Sequence, residues 1–165
     1  MRIAIRIIFL VAAVALGWWL WIVFFPGAEK VILKKMSGLA ATATFGAGAN
    51  NLSRAGKALD FIGYFSTDAQ IIMDVPGLGA HTFSGRDEIR EAGNGGLATL
   101  PGLKVSFLDT TVRVGPDRLA AEVSCTLRVT VGNDKDYGVQ EMHFQFKKID
   151  GAWLITRVET VKTLT

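Results

Sequence analysis

One cysteine and two histidines in 165 residues exclude several kinds of protein at once. A single thiol, Cys125, cannot close an intramolecular disulfide. His81 and His143 stand far apart in the chain, with no His-x-x-x-His pair and no carboxylate cluster near either, so no metal centre is expected. No block of lysine and arginine, and no interleaving of basic with aromatic residues, marks a nucleic-acid surface. Gly77-Leu78-Gly79 is followed by neither the Lys-Ser/Thr nor the long helix of a phosphate loop, and no other cofactor motif is found. Internal repeats and low-complexity stretches are absent as well.

Charge is scarcest at the N-terminal end. The first 28 residues carry Arg2 and Arg6 and no acid; taking those two from 18 Lys/Arg leaves 16 against 15 Asp/Glu, a net of +1 for the rest. The run that opens on Ile7 and closes on Phe25 is 19 residues without a charge. At ~1.5 Å per residue a helix of that length spans roughly 28 Å, close to the hydrocarbon thickness of a bilayer. Trp18, Trp19 and Trp21 gather near its C-terminal end, where indoles favour the membrane–water interface, and Pro26-Gly27 ends it. A cleaved signal peptide would have an apolar core of ~7–15 residues closing on small residues. This run is longer and closes on aromatics, so a retained anchor is expected. A lipoprotein is excluded, since no cysteine lies near the segment.

Flanking charges are nearly balanced: Arg2, Arg6 and the α-amino group on one side, Lys30, Lys34 and Lys35 offset by Glu29 on the other. The N-inside orientation is preferred because a lone N-terminal helix before a folded domain usually acts as a signal anchor. The expected organisation is a transmembrane anchor over residues 1–27 and one domain over 28–165. The chain would sit in a bacterial inner membrane with its C-terminal domain periplasmic or extracellular. Ala13 and Gly17 form a small-xxx-small pair through which two anchors could pack.

Beyond the anchor, the spacing of Ile32, Met36, Leu39, Ala40 and Ala43 predicts an amphipathic helix over about 28–49. Asn51 or Ser53 is an available N-cap for a second helix over roughly 54–66. Its apolar stripe would be Ala55, Ala58, Leu59, Ile62 and Phe65, with Arg54, Lys57 and Asp60 facing away. The period then changes. Residues 69–75 read as a strand, 76–80 as a glycine-rich loop and 81–83 as a second short strand. Ser84 could cap a short helix over about 86–92, which Asn94-Gly95-Gly96 would disrupt. From Leu103 onward long strands are separated by turns at 115–117, 132–134 and 150–151. Leu119, Ala121, Val123, Cys125, Leu127, Val129 and Val131 alternate with polar residues, as do Met142, Phe144 and Phe146. One face is therefore core and the other polar, and Cys125 reads as a small core residue.

Helix, helix, short strand, short helix and four long strands is an order that resembles the nuclear transport factor 2-like superfamily. Leu59-Asp60-Phe61-Ile62-Gly63-Tyr64-Phe65-Ser66-Thr67-Asp68-Ala69-Gln70-Ile71 resembles its helix-to-strand signature. Gly85-Arg86-Asp87-Glu88-Ile89 resembles its Gly-Arg-x-x-Ile helix start, and Lys148-Ile149-Asp150-Gly151-Ala152-Trp153 its final hairpin. The resemblance covers about residues 30–165. It implies an α+β domain, a curved antiparallel sheet wrapped around N-terminal helices in a cone, here preceded by one transmembrane helix.

The superfamily includes ketosteroid isomerases, scytalone dehydratase-like enzymes and polyketide cyclases. By resemblance, Asp74 lies near the isomerase's general base, where burial would raise its pKa toward proton abstraction. His81, after the glycine-rich loop, is a candidate mouth residue or base; an exposed loop histidine is the commoner case. Two features of the isomerase are missing. The stretch 28–49 has no tyrosine, and the protonated acid would fall near His143, which alternation puts on the polar face. Tyr64, Phe144 and Trp153 are candidates for a ligand pocket, with cone-filling core as the alternative.

The expectation is thus a membrane-anchored, non-catalytic domain that binds a partner protein or an apolar ligand, as a homo-oligomer or a subunit of an envelope assembly. The alternative is a small acid–base isomerase or dehydratase using Asp74.

Overall fold

A computed structural model describes residues 27–161, apart from 47, 76–78, 99 and 133–134. The expected anchor, residues 7–25, and the Ala13/Gly17 pair lie outside the described residues. Among the described residues no helix is long and apolar enough to cross a membrane.

Helix α1 (Ala28–Ala43) buries Ile32, Met36 and Leu39, which recur at i, i+4 and i+7 and so share one face. That face packs on strand β3 (Leu103–Val114). The helix stops six residues short of the expected 49. At Thr44 the backbone turns extended (φ −90°, ψ 129°), and its hydroxyl both donates to the Ala40 carbonyl (2.8 Å) and accepts from the Val105 amide (3.0 Å). Phe45 then pairs with Leu103 through two 2.8 Å backbone bonds and is buried. A threonine hydroxyl that can bond the backbone on either side competes with helix continuation, and burying Phe45 settles the contest.

Helix α2 (Asn51–Ile62) is capped by Asn50, whose side-chain oxygen accepts from the Ser53 amide at 2.8 Å. The cap comes one residue before Asn51 and three before Ser53, the two expected candidates. The helix also ends earlier than expected: Gly63 closes it, and Phe65 and Ser66 already belong to strand β1 (Phe65–Val75), both 2 % exposed. Leu59, expected in the buried stripe, is 64 % exposed.

Strand β2 (Gly79–Ser84) pairs antiparallel with β1 and leads into helix α3 (Gly85–Ala98). The resemblance-bearing Gly85-Arg86 has a local reason. Gly85 takes φ +82°, a conformation glycine adopts without penalty, and Arg86 can then send its guanidinium to the Phe65 carbonyl beside the β1 bulge. Glu88 accepts from the Ser84 amide at 2.7 Å in the first turn. The helix runs through Asn94-Gly95-Gly96, where disruption was expected. Packing against α2 and β1 sustains it, offsetting a propensity cost of about 1 kcal/mol per glycine.

Strands β3, β4 (Ala120–Val131), β5 (Lys135–Ile149) and β6 (Ala152–Thr160) form the expected meander. The whole sheet runs β2-β1-β6-β5-β4-β3. It is mixed rather than antiparallel, because β1 lies parallel to β6. Neighbouring hairpin strands must be antiparallel, but β1 joins β6 across the whole length of the domain and is free of that constraint. Register shifts occur between Leu108 and Thr111, Val129 and Thr130, and Gln145 and Phe146. Such bulges add local twist and bend the sheet into a cone. Its concave face carries Val123, Met142, Phe144, Phe146, Ile155 and Val158, all at most 5 % exposed.

Candidate functional site

The cone is not filled. A cavity of about 580 Å³ lies between its concave wall and helices α2 and α3. Strand alternation supplies the wall: Ile71 and Met73 from β1, Phe83 from β2, Val105 and Phe107 from β3, Leu127 and Val129 from β4, Met142 and Phe144 from β5. Phe107 meets Phe144 edge to face with centroids 5.5 Å apart, and Phe61 leans on Phe65 at 5.1 Å, geometries that suit the aromatic quadrupole. From α2 come Ala55, Ala58, Phe61 and Ile62. Their small-then-large sequence leaves space under the first two turns of the helix.

The polar residues that line the cavity, Thr42, Arg54, Lys57, Arg90 and Asn94, all come from helices. Arg54 stacks over the Phe45 ring at 4.8 Å and donates to the carbonyls of Ala49 (3.1 Å) and Leu100 (3.3 Å). Lys57 donates to the carbonyls of Ala41 and Thr44 at the C-terminal end of α1, where a cation also meets the negative end of the helix dipole. Arg90 pairs with Asp87 at 2.8 Å on the surface of α3. Arg54 and Lys57 were expected to face away from the domain. They flank the stripe instead, because 54, 57/58 and 61 follow one another at helical spacing. That spacing was the available signal for them, and Ala58-Phe61 was its apolar part.

No aspartate, glutamate, histidine, tyrosine or cysteine lines the cavity among the described residues. Asp74 is half-buried, but it alternates with Met73 and so sits on the other face of β1. Its amide donates to the Thr160 hydroxyl at 2.9 Å. His81 pairs across the strands with Met73, yet it is exposed and outside the wall. Asp74 and His81 therefore do not converge on the cavity. Of the three aromatic pocket candidates, Phe144 lines it. Trp153 is buried in the core outside the wall. Tyr64 packs on α1, with its ring 5.6 Å from the Lys35 ammonium and its hydroxyl over Gly38.

Cys125 is 6 % exposed, and burial pushes its thiol up to about 12. It stays protonated at neutral pH and has no nucleophilic character. His143 lies on the outer face of the sheet between Glu159 (3.5 Å) and Glu122 (4.0 Å). Among the described residues no group of three or more His, Cys, Asp or Glu could hold a metal ion.

No family model matches the sequence, and no curated protein does. Solved structures do match. An NTF2-like protein with a cystatin-like fold from Novosphingobium aromaticivorans superposes with a TM-score of 0.64 at 17% identity, over 80% of this chain and 79% of that one. A protein of unknown function with a cystatin-like fold from Nostoc punctiforme gives 0.61 at 16%, over 82% and 92%. A candidate scytalone dehydratase from Novosphingobium aromaticivorans gives 0.53 at 16%, over 82% and 81%. At such identities the likeness is one of fold, and fold leaves chemistry open. The chain has the nuclear transport factor 2-like, or cystatin-like, cone, as the three sequence signatures implied.

Proposed function

We propose that this domain binds an apolar small molecule in its cone without transforming it, and that residues 7–25 hold it at a membrane. The observation that carries the reading is the chemistry of the cavity wall. Its volume of about 580 Å³ falls within the roughly 300–1,000 Å³ of small-molecule sites. An acid–base enzyme needs a titratable group within hydrogen-bond reach of the reacting atom; among the described residues the wall offers no carboxylate, imidazole, phenol or thiol, and the amine of Lys57 donates to two main-chain carbonyls. Asp74, on the other face of β1 from Met73 and absent from the wall, supports binding over the isomerase or dehydratase alternative. A tether to the bilayer suits a protein that collects apolar molecules, since that is where they concentrate.

The test is binding of the uncharged probe N-phenyl-1-naphthylamine by the full chain in lipid nanodiscs, measured above empty nanodiscs. Ala58→Trp places an indole in the space under α2 and should weaken binding at least about tenfold, the equivalent of ~1.4 kcal/mol. Equal binding by a correctly folded Ala58→Trp protein would show that the probe sits elsewhere.

A further inference from the structure

We infer that the ligand is an amphiphile: an apolar body in the cone and a single anionic oxygen-bearing head, carboxylate or phosphate, on the helix side of the cavity, where Arg54, Lys57 and Arg90 line it. This inference rests on the proposed binding function and names the ligand class for the same cavity.

The charges around the cavity are one-sided. Three cations reach it and no carboxylate does, among the described residues. All three come from helices, two from α2 and one from α3, while every strand residue of the wall is apolar. None of the three lacks a partner, but the partners matter. Lys57 is held by two main-chain carbonyls and, among the described residues, forms no ion pair, so its charge has no local counter-ion. Arg54 bonds carbonyls and lies on an aromatic face, which fixes the guanidinium plane and leaves it cationic. Arg90 pairs with an aspartate whose side chain is 91% exposed; such a pair contributes little and exchanges readily for an incoming anion. Arginine and lysine together suit a carboxylate or phosphate, the first by its planar fork, the second as a point charge.

An uncharged ligand would leave these cations unmatched, and a cationic one would be repelled by them. The fit is charge complementarity at one end and apolar burial at the other. An anionic amphiphile is also a molecule that a bilayer holds at its surface with the head in water. A domain tethered beside that surface would meet the head first.

The test uses the full chain in phosphatidylcholine nanodiscs and four ligands of equal chain length: hexadecanoate, hexadecyl phosphate, hexadecanol and hexadecylamine. Wild type should bind hexadecanoate or the phosphate about tenfold more tightly than the alcohol, the scale of one charge-assisted hydrogen bond, and the amine most weakly. The carboxylate and phosphate arms decide which head is used. Lys57→Gln and Arg90→Gln should each shrink the anion-to-alcohol ratio, while Lys57→Arg, which keeps the charge, should preserve it. Equal wild-type affinity for anion and alcohol would overturn the headgroup inference while leaving apolar binding intact. No binding of any of the four would overturn both.

Discussion

Gly38 and Gly56 are both helix-interior glycines, and their surroundings set opposite consequences for the same change. A Cβ at Gly38 would stand 2.3 Å from the Tyr64 hydroxyl oxygen and 3.2 Å from the ring carbon that bears it. The ring is rigid, so it must swing away from α1 or the helix must move. A Cβ at Gly56 meets nothing within 4 Å. Alanine gains up to about 1 kcal/mol over glycine in a helix. Gly56→Ala should therefore raise stability by roughly 0.5–1 kcal/mol, and Gly38→Ala should lower it by about 1–3 kcal/mol, as overpacking does. Denaturant melts of the two variants decide this, and a stabilised Gly38→Ala would mean that Tyr64 is not locked against α1. Residues of this kind were only half legible in the sequence. Tyr64 could be recognised as an aromatic at a helix-to-strand junction, but its packing against Gly38 joins positions 26 apart that no local pattern links. Cys125 was easier, because strand alternation alone assigned it to the core, where it is found.

Among the elements, α2 stands apart. It packs on α1 and α3 and makes few contacts with the sheet, and its inner stripe of Ala55, Ala58, Phe61 and Ile62 faces the cavity. A helix whose apolar face looks into unfilled space gains less from burial than one seated on the core. Its amides should exchange with deuterium faster than those of β4 and β5, and should slow when hexadecanoate binds. Hydrogen-exchange mass spectrometry reads this by peptide; an α2 as protected as β4 before ligand is added would show that the cavity beneath it does not weaken it. The same helix marks where sequence legibility ended. Its periodicity was visible, but a helical stripe says only that one side is apolar, not whether core or cavity meets it. Strands β4 and β5 were the most legible, since period-two alternation and their turns mark faces and ends, although Leu119, expected on the core face, is exposed. The ends of α1 and α3 were not: the Thr44 hydroxyl and the Phe45–Leu103 pairing stop one, and tertiary packing carries the other through its glycines.

At the scale of the whole molecule, a bent six-stranded sheet and the helices over it surround an apolar volume whose charged lining residues, all cations among the described residues, come from the helices. The catalytic expectation placed on Asp74 came from resemblance, and the period of β1 turns that residue to the opposite side from Met73. What the cone retains is the capacity to hold a molecule. The methionines allow this to be tested directly, because the chain has four and three fall among the described residues. Met73 and Met142 line the cavity, and Met36 lies in the core beyond it. With the methyl groups labelled with carbon-13 and the full chain in nanodiscs, hexadecanoate should shift the Met73 and Met142 resonances and leave Met36 in place, and the acid should be recovered unchanged. Saturating ligand that moves neither Met73 nor Met142, or an acid recovered as a different compound, would contradict a binding cone.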